Sequence, residues 1–335
     1  MRIGITTTVP IEIVFASGNV PVDLNNVFVS HPHYQQLIEE AELAGFPRNF
    51  CSWVKGIYGV VKRCGDIRAV IAVTQGDCSN TQALMETLQS EGIEVIPFSY
   101  PYDRDPRILR MEMEKLVHRL GTDWMEVEET TRRLDSVRRK VWEIDRMSYE
   151  EGVVSGFENH FYQVTCSDMG GDLEAFDRQV GDFLEELKRR AGAYTGKESS
   201  GFLRLGYIGV PPLAPELYDF LEGMGARVIY NEVQRQFTLP DDGVDLVERY
   251  LKYTYPYSLY ERLEDIKREI NRRKICGLIH YVQSFCFRQV EDILLRRCIQ
   301  LPALTIELDR YTHLDARTRM RLENFVNVLK ERISR

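Results

Sequence analysis

Apolar runs and amphipathic stretches alternate at both ends of the chain. Near the start, residues 2–6 form an apolar run of strand type, and residues 32–44 repeat apolar positions at helical spacing. Residues 52–63 predict a second helix and 68–74 (RAVIAVT) a buried strand; 81–90 predict a helix and 93–98 (IEVIPF) another strand. The last part of the chain repeats this alternation. There strands are predicted at 203–209, 227–230, 276–282 and 303–307, with helices at 215–224, 244–251, 259–273, 288–297 and 316–331. Strand, helix and strand with short connections imply parallel sheets. The middle is different: residues 105–145 are heavily charged and helical throughout, 173–190 form a further amphipathic helix, and 195–201 (TGKESSG) read as a polar linker.

These patterns predict an α/β protein with two flavodoxin-like or Rossmann-like lobes, residues 1–103 and 201–335, joined by a helical middle region and linker, 104–200. The lobes share an architecture without a recognisable sequence repeat. A chain of 335 residues is long enough for two compact domains. With 44% hydrophobic and 28% charged residues, and only 23 glycines and 13 prolines, the composition is that of a globular protein. The net charge of −8 opposes a nucleic-acid partner, because collecting phosphates needs a positive field. No apolar run approaches the ~18–20 residues needed to span a bilayer. The opening MRIGITTTVPIEIVF lacks the apolar core and cleavage site of a signal peptide, so a cytoplasmic protein is expected. No G-x-G-x-x-G follows a strand. Gly192, Gly196 and Lys197 fall one residue short of a Walker spacing, with Glu198 where a Mg²⁺-binding Ser or Thr is required. No ATP site is expected in this chain.

Seven cysteines in such a chain are expected to be thiols, and an odd number gives no disulfide framework. Each alone reads as a small buried hydrophobe. Their positions separate them. Cys78 follows the strand RAVIAVT directly, and Cys286 follows the strand CGLIHYV. Cys51 opens a helix that leads down to the start of RAVIAVT, so it begins at that strand's carboxyl end. The carboxyl ends of parallel strands form the rim where ligands bind, and the three thiols are expected to converge on a cleft between the lobes. Cys64, Cys276 and Cys298 fall at the opposite rim, and Cys166 lies in a loop of the middle region. Zinc would require a fourth Cys or His with close spacing, which is missing. Widely separated thiols are more compatible with an iron–sulfur cluster in which one iron has no cysteine ligand.

Around these cysteines the sequence resembles the 2-hydroxyacyl-CoA dehydratase family, which includes the subunits of 2-hydroxyglutaryl-CoA and phenyllactyl-CoA dehydratases and of benzoyl-CoA reductase. The string from Val9-Pro10-Ile11-Glu12-Ile13 to Val20-Pro21-Val22-Asp23-Leu24 resembles the family's opening signature. Cys51-Ser52-Trp53-Val54-Lys55, Gly76-Asp77-Cys78 and Gly277-Leu278-Ile279 with Ser284-Phe285-Cys286 resemble its three cluster motifs. Gly225-Ala226-Arg227-Val228 and the segment from Leu301 to Asp309 resemble later parts of its fold. The resemblance implies that Cys51, Cys78 and Cys286 ligate one [4Fe–4S] cluster per chain. It implies an acyl-CoA substrate, and a partner that hydrolyses ATP and delivers single electrons from its own iron–sulfur cluster. The chemistry implied is elimination of water through a ketyl radical. One electron on the thioester carbonyl lets the 2-hydroxyl leave and acidifies the C3 proton, at a potential near the low end reached by iron–sulfur centres. The implied class is a lyase, or a low-potential reductase of CoA esters.

Two further readings stay open. One is a double-cubane reductase with an [8Fe–9S] cluster, disfavoured because Cys166 alone is available as an extra ligand. The other is a cluster-carrying electron-transfer subunit whose active site lies in its partner. A radical site must be shielded, so a dimer with a second copy or a homologous subunit is expected. Glu158, Asn159 and His160 are assigned to a loop, where His160 could move a proton. His280 reads as a satisfied core histidine, and His31 and His33 as caps. Tyr250, Tyr253, Tyr255, Tyr257 and Tyr260 read as aromatic packing ahead of an acyl-CoA tunnel, and residues 104–146 as a solvated helical face.

Overall fold

The computed structural model describes residues 1–193, 201–241, 243, 245–309 and 313–334; the stretch 195–200, with Gly196, Lys197 and Glu198, lies outside them. The chain divides into two compact units. The first comprises Met1–Arg138, Thr165–Phe176 and Leu239–Ser258; the second comprises Arg139–Val164, Asp177–Thr238 and Leu259–Arg335.

In the first unit, β1 (Arg2–Ile5), α1 (Ile11–Ala16), β2 (Val20–Asp23), α2 (Leu24–Ser30), α3 (Tyr34–Leu43) and α4 (Ser52–Arg63) come first. Next come β3 (Ile67–Gln75), α5 (Ser79–Ser90), β4 (Glu94–Ser99) and α6 (Pro106–Leu120). All strand pairs are parallel, in the order β2-β1-β3-β4. Central β3 buries every side chain from Ala69 to Val73, whereas β4 at the edge does not. A parallel strand covered on both faces needs apolar residues at every position, which is why RAVIAVT shows no alternation. From β1 the chain moves to one side and then crosses to β3 on the other. The loops leaving β1 and β3 therefore flank the switch point of the sheet.

Helices α7 (Trp124–Glu150) and α9 (Leu173–Ala193) divide between the units, and α8 (Gly156–Thr165) belongs to the second. Then follow β5 (Leu203–Ile208), α10 (Glu216–Gly223), β6 (Ala226–Asn231) and α11 (Glu232–Gln236). Helix α12 (Leu246–Lys252) returns to the first unit. The second closes with α13 (Leu259–Arg273), β7 (Gly277–Gln283), α14 (Asp292–Cys298), β8 (Ala303–Leu308) and α15 (Ala316–Ile333). Its sheet is again wholly parallel, in the order β6-β5-β7-β8. Alternate residues of β7 face opposite layers. Ile279 and Tyr281 pack in one core with Leu217 and Leu221 of α10 and Leu322 and Val326 of α15. Leu278 packs in the other with Leu263 and Ile266 of α13 and Leu295 of α14.

Three expectations are corrected. The segment holding Glu158, Asn159 and His160 is helix α8, not a loop. A reciprocal capping box starts it: Ser155 Oγ accepts from Glu158 N at 3.1 Å, and Glu158 Oε2 accepts from Ser155 N at 2.8 Å. The charged span 104–146 is only partly a solvated face, since Asp135, Arg138 and Asp145 of α7 are buried. The single helix expected over 288–297 is a 3-10 turn, Phe287–Glu291, followed by α14. Among the described residues no helix is long and apolar enough to cross a membrane.

Candidate functional site

At the carboxyl end of β3 the chain turns at Gly76, where φ is +101°. A Cβ there would stand 2.7 Å from the Cβ of Pro256 and 3.1 Å from Tyr100, so a glycine is needed for both conformation and space. Asp77 then ties the turn together. Its Oδ1 accepts from the backbone N of Cys78 at 2.8 Å, and its Oδ2 accepts from Thr81 Oγ1 at 2.9 Å. Cys78 is the N-cap residue of α5, with extended backbone (φ −77°, ψ 156°) and its Sγ 3.7 Å from Thr81 Oγ1. Burial and the Asp77 charge raise its thiol pKa, while hydrogen bonds from Thr81 and Asn80 act the other way.

The loops leaving β1 and β3 meet a cluster of buried tyrosines. Tyr100 OH donates to Thr8 O at 2.9 Å, and Tyr250 OH donates to Val9 O at 3.0 Å and to Glu12 Oε2 at 2.9 Å. The Tyr100 ring lies 6.5, 6.2 and 5.9 Å from those of Tyr250, Tyr253 and Tyr257. These residues pack under the rim, and Tyr260 is 64% exposed. Glu12 is fully buried and pairs with Arg138 at 2.6 Å; Arg249 and Arg138 share Asp135 at 2.6 and 3.2 Å.

Cys51 is the buried N-cap residue of α4, with a non-helical backbone (φ −53°, ψ 122°). Four residues on, the fully buried Lys55 Nζ donates to Glu42 at 2.8 Å and to Arg48 O at 3.1 Å, which fixes the approach to this cap. In the second unit Cys286 is the N-cap residue of the 3-10 turn after β7 (φ −86°, ψ 133°), and its backbone N donates to Gln283 O. The other cysteines occupy no N-cap. Cys64 ends α4, Cys298 is the last residue of α14, and Cys276 precedes β7 with its Sγ donating to Arg204 O at 3.3 Å. Cys166 is buried and its thiol is pushed up to about 12.

All seven cysteines are thiols. Cys51 and Cys78 belong to the first unit and Cys286 to the second. Among the described residues no three His, Cys, Asp or Glu side chains are gathered closely enough to hold a single metal ion. His160 is buried in α8, with its ring against Tyr218 and Nδ1 3.3 Å from Gln234 Nε2; burial pulls its pKa down to about 3, so it is neutral. His280 is satisfied by Asp292 Oδ1 at 2.8 Å, and burial keeps its pKa low. His33 stands at the N-cap position of α3 without a side-chain cap hydrogen bond, and its backbone N donates to the His31 ring at 3.0 Å.

Residues 6–329 match the family described as 2-hydroxyglutaryl-CoA dehydratase, D-component. The chain belongs to this family. It is therefore a component of an enzyme of the 2-hydroxyacyl-CoA dehydratase type. Comparison with curated proteins gives no match. Within this family member, motif reading missed the Glu232–Arg262–Glu291 ion chain beside Cys286, in which Glu232 and Arg262 are buried. The signal was present in α13, where Arg262, Asp265, Glu269 and Arg273 recur at helical spacing on the face that holds Leu263 and Ile266.

Proposed function

We propose that this chain is the iron–sulfur component of a radical 2-hydroxyacyl-CoA dehydratase, with Cys51, Cys78 and Cys286 holding one [4Fe–4S] cluster. The observation that carries this reading is their shared setting: of the seven cysteines, these three are the helix N-cap residues. Ser, Thr, Asp or Asn ordinarily occupy that position. At Cys78 the backbone N–H groups of Asn80 and Thr81 favour the thiolate, and a negative charge at a helix N-terminus gains about 0.3–1 kcal/mol from the dipole. That setting suits the anionic sulfurs of a cluster. Ligands of three different irons stand further apart than ligands of one ion, so a cluster does not require the close grouping that a single metal needs. When bound, the cluster supplies a low-potential electron and a Lewis-acidic iron.

The chain's own residues have separate tasks. Gly76 and Asp77 set the turn that presents Cys78, and the tyrosine cluster supports the loops leaving β1 and β3. His160, held neutral and buried, packs α8 and is assigned no proton transfer. In this reading the electron comes from an ATP-hydrolysing iron–sulfur activator, no ATP binds here, and the working enzyme is a dimer with a second copy or a homologous subunit. The double-cubane reading would need ligands beyond these three thiols, and only Cys166, buried just after α8, is available as one. The test is the EPR spectrum of the anaerobically reconstituted, reduced protein. Adding a 2-hydroxyacyl-CoA is expected to change it, with turnover requiring activator and ATP. A cluster that responds to no acyl-CoA would assign the chemistry to a partner subunit.

A further inference from the structure

The segment around Cys286 is not held by apolar burial. Phe285, at φ +62°, is 53% exposed, and Phe287, Val290 and Ile293 are exposed as well. Polar contacts hold it instead. Ser284 N donates to Leu308 O, and Gln289 Nε2 donates to Gln283 O at 3.0 Å and to Glu307 at 3.1 Å. Beneath them lies Arg262 of α13, 1% exposed. Its Nε and Nη2 donate to the two carboxylate oxygens of Glu232 at 2.6 and 3.0 Å, and its Nη1 donates to Glu291. Glu291 is the last residue of the 3-10 turn that Cys286 opens, and Arg288 of the same turn donates to its other oxygen at 3.0 Å. Glu232, just after β6, also accepts from Gly209 N at 3.0 Å, just after β5. At Gly209 (φ +106°) a Cβ would stand 2.3 Å from Tyr281 O of β7, so the backbones there are in close contact. One guanidinium therefore joins the carboxyl ends of β5 and β6 to the turn that follows β7. A buried ion chain of this kind is weak evidence for stability, and its geometry here points to placement.

We propose that Arg262 is a positioning residue for Cys286: through Glu232 and Glu291 it fixes the 3-10 turn, and with it the thiol, against the rim of the second sheet. The purpose assigned to that placement rests on the reading of Cys286 as a cluster ligand; the tether itself does not. The experiment uses the full chain without iron and reads the alkylation of Cys286 by iodoacetamide, followed by mass spectrometry. Cys78, on the other sheet, is the internal reference. Glu291→Gln keeps the side-chain shape and leaves Arg262 paired with Glu232. Arg262→Lys keeps the charge and loses the fork. In Glu291→Gln, Cys286 is expected to react several-fold faster with Cys78 unchanged, and iron uptake per chain on anaerobic reconstitution is expected to fall. Unchanged Cys286 reactivity, or an equal rise at Cys78, overturns the proposal, and Glu291→Gln decides if Arg262→Lys does not fold. Faster Cys286 alkylation in a protein whose unmodified form takes up no iron supports the tether and removes the cluster reading instead.

Discussion

Gly76 combines a left-handed backbone with a Cβ position already occupied by Pro256 and Tyr100. Gly76→Ala adds the strain of a non-glycine at positive φ to an overpacked contact, each worth about 1–3 kcal/mol. A loss of about 2–4 kcal/mol in urea unfolding is expected, with faster alkylation of Cys78; wild-type stability would show that the turn is not packed as described. His160 offers a pH signature. Its pKa is about 3 in the fold against 6.5 for an unperturbed histidine, so between those values the unfolded chain binds the extra proton. Its contribution is full above about pH 6.5 and is lost as pH falls toward 3, by up to ~1.4 kcal/mol per unit. Relative to His160→Gln, the wild type should therefore lose about 2 kcal/mol between pH 7 and 5. Parallel stability profiles for the two proteins would mean that His160 is protonated in the fold.

Helix α7 shows that charged side chains on one element can belong to different environments. Arg138 is fully buried between Glu12 and Asp135, whereas Arg132 lies on the exposed face beside Glu129. Arg138→Met strands the buried Glu12 carboxylate and should cost about 3–5 kcal/mol in chemical denaturation. Arg132→Ala should stay within about 1 kcal/mol of wild type. Equal costs would contradict the burial pattern. The same ambiguity limits what the sequence makes legible. Helices 52–63 and 259–273 match their predicted limits because apolar residues recur along them at helical spacing. Strand β2 escapes the pattern: four residues with Pro21 inside are tolerated only because the strand lies at a sheet edge. Helix α8 escapes although its Ser155-x-x-Glu158 capping box is in the sequence. The buried ions of α7 and α13 escape because a charge that will be paired inside looks, along the chain, like a charge that faces water.

Across the whole molecule, two sheets share one strand order without a visible sequence repeat. In each, a cysteine follows the third strand in sequence order and opens the next helical turn: Cys78 after β3 and Cys286 after β7. The placement of these thiols after their strands was readable from strand periodicity. Their role as N-caps was not, because cysteine is not a usual capping residue. In the proposed site Cys51, Cys78 and Cys286 form the ligand set, and Cys64, Cys276 and Cys298 lie outside it. The most direct measurement is iron and sulfide per chain after anaerobic reconstitution of the wild type and of single Cys→Ser variants. About four irons per chain are expected in the wild type and in the Cys64, Cys276 and Cys298 variants, with loss or distortion of the cluster in each of the Cys51, Cys78 and Cys286 variants. A wild-type protein without iron, or the reverse pattern among the variants, would contradict it.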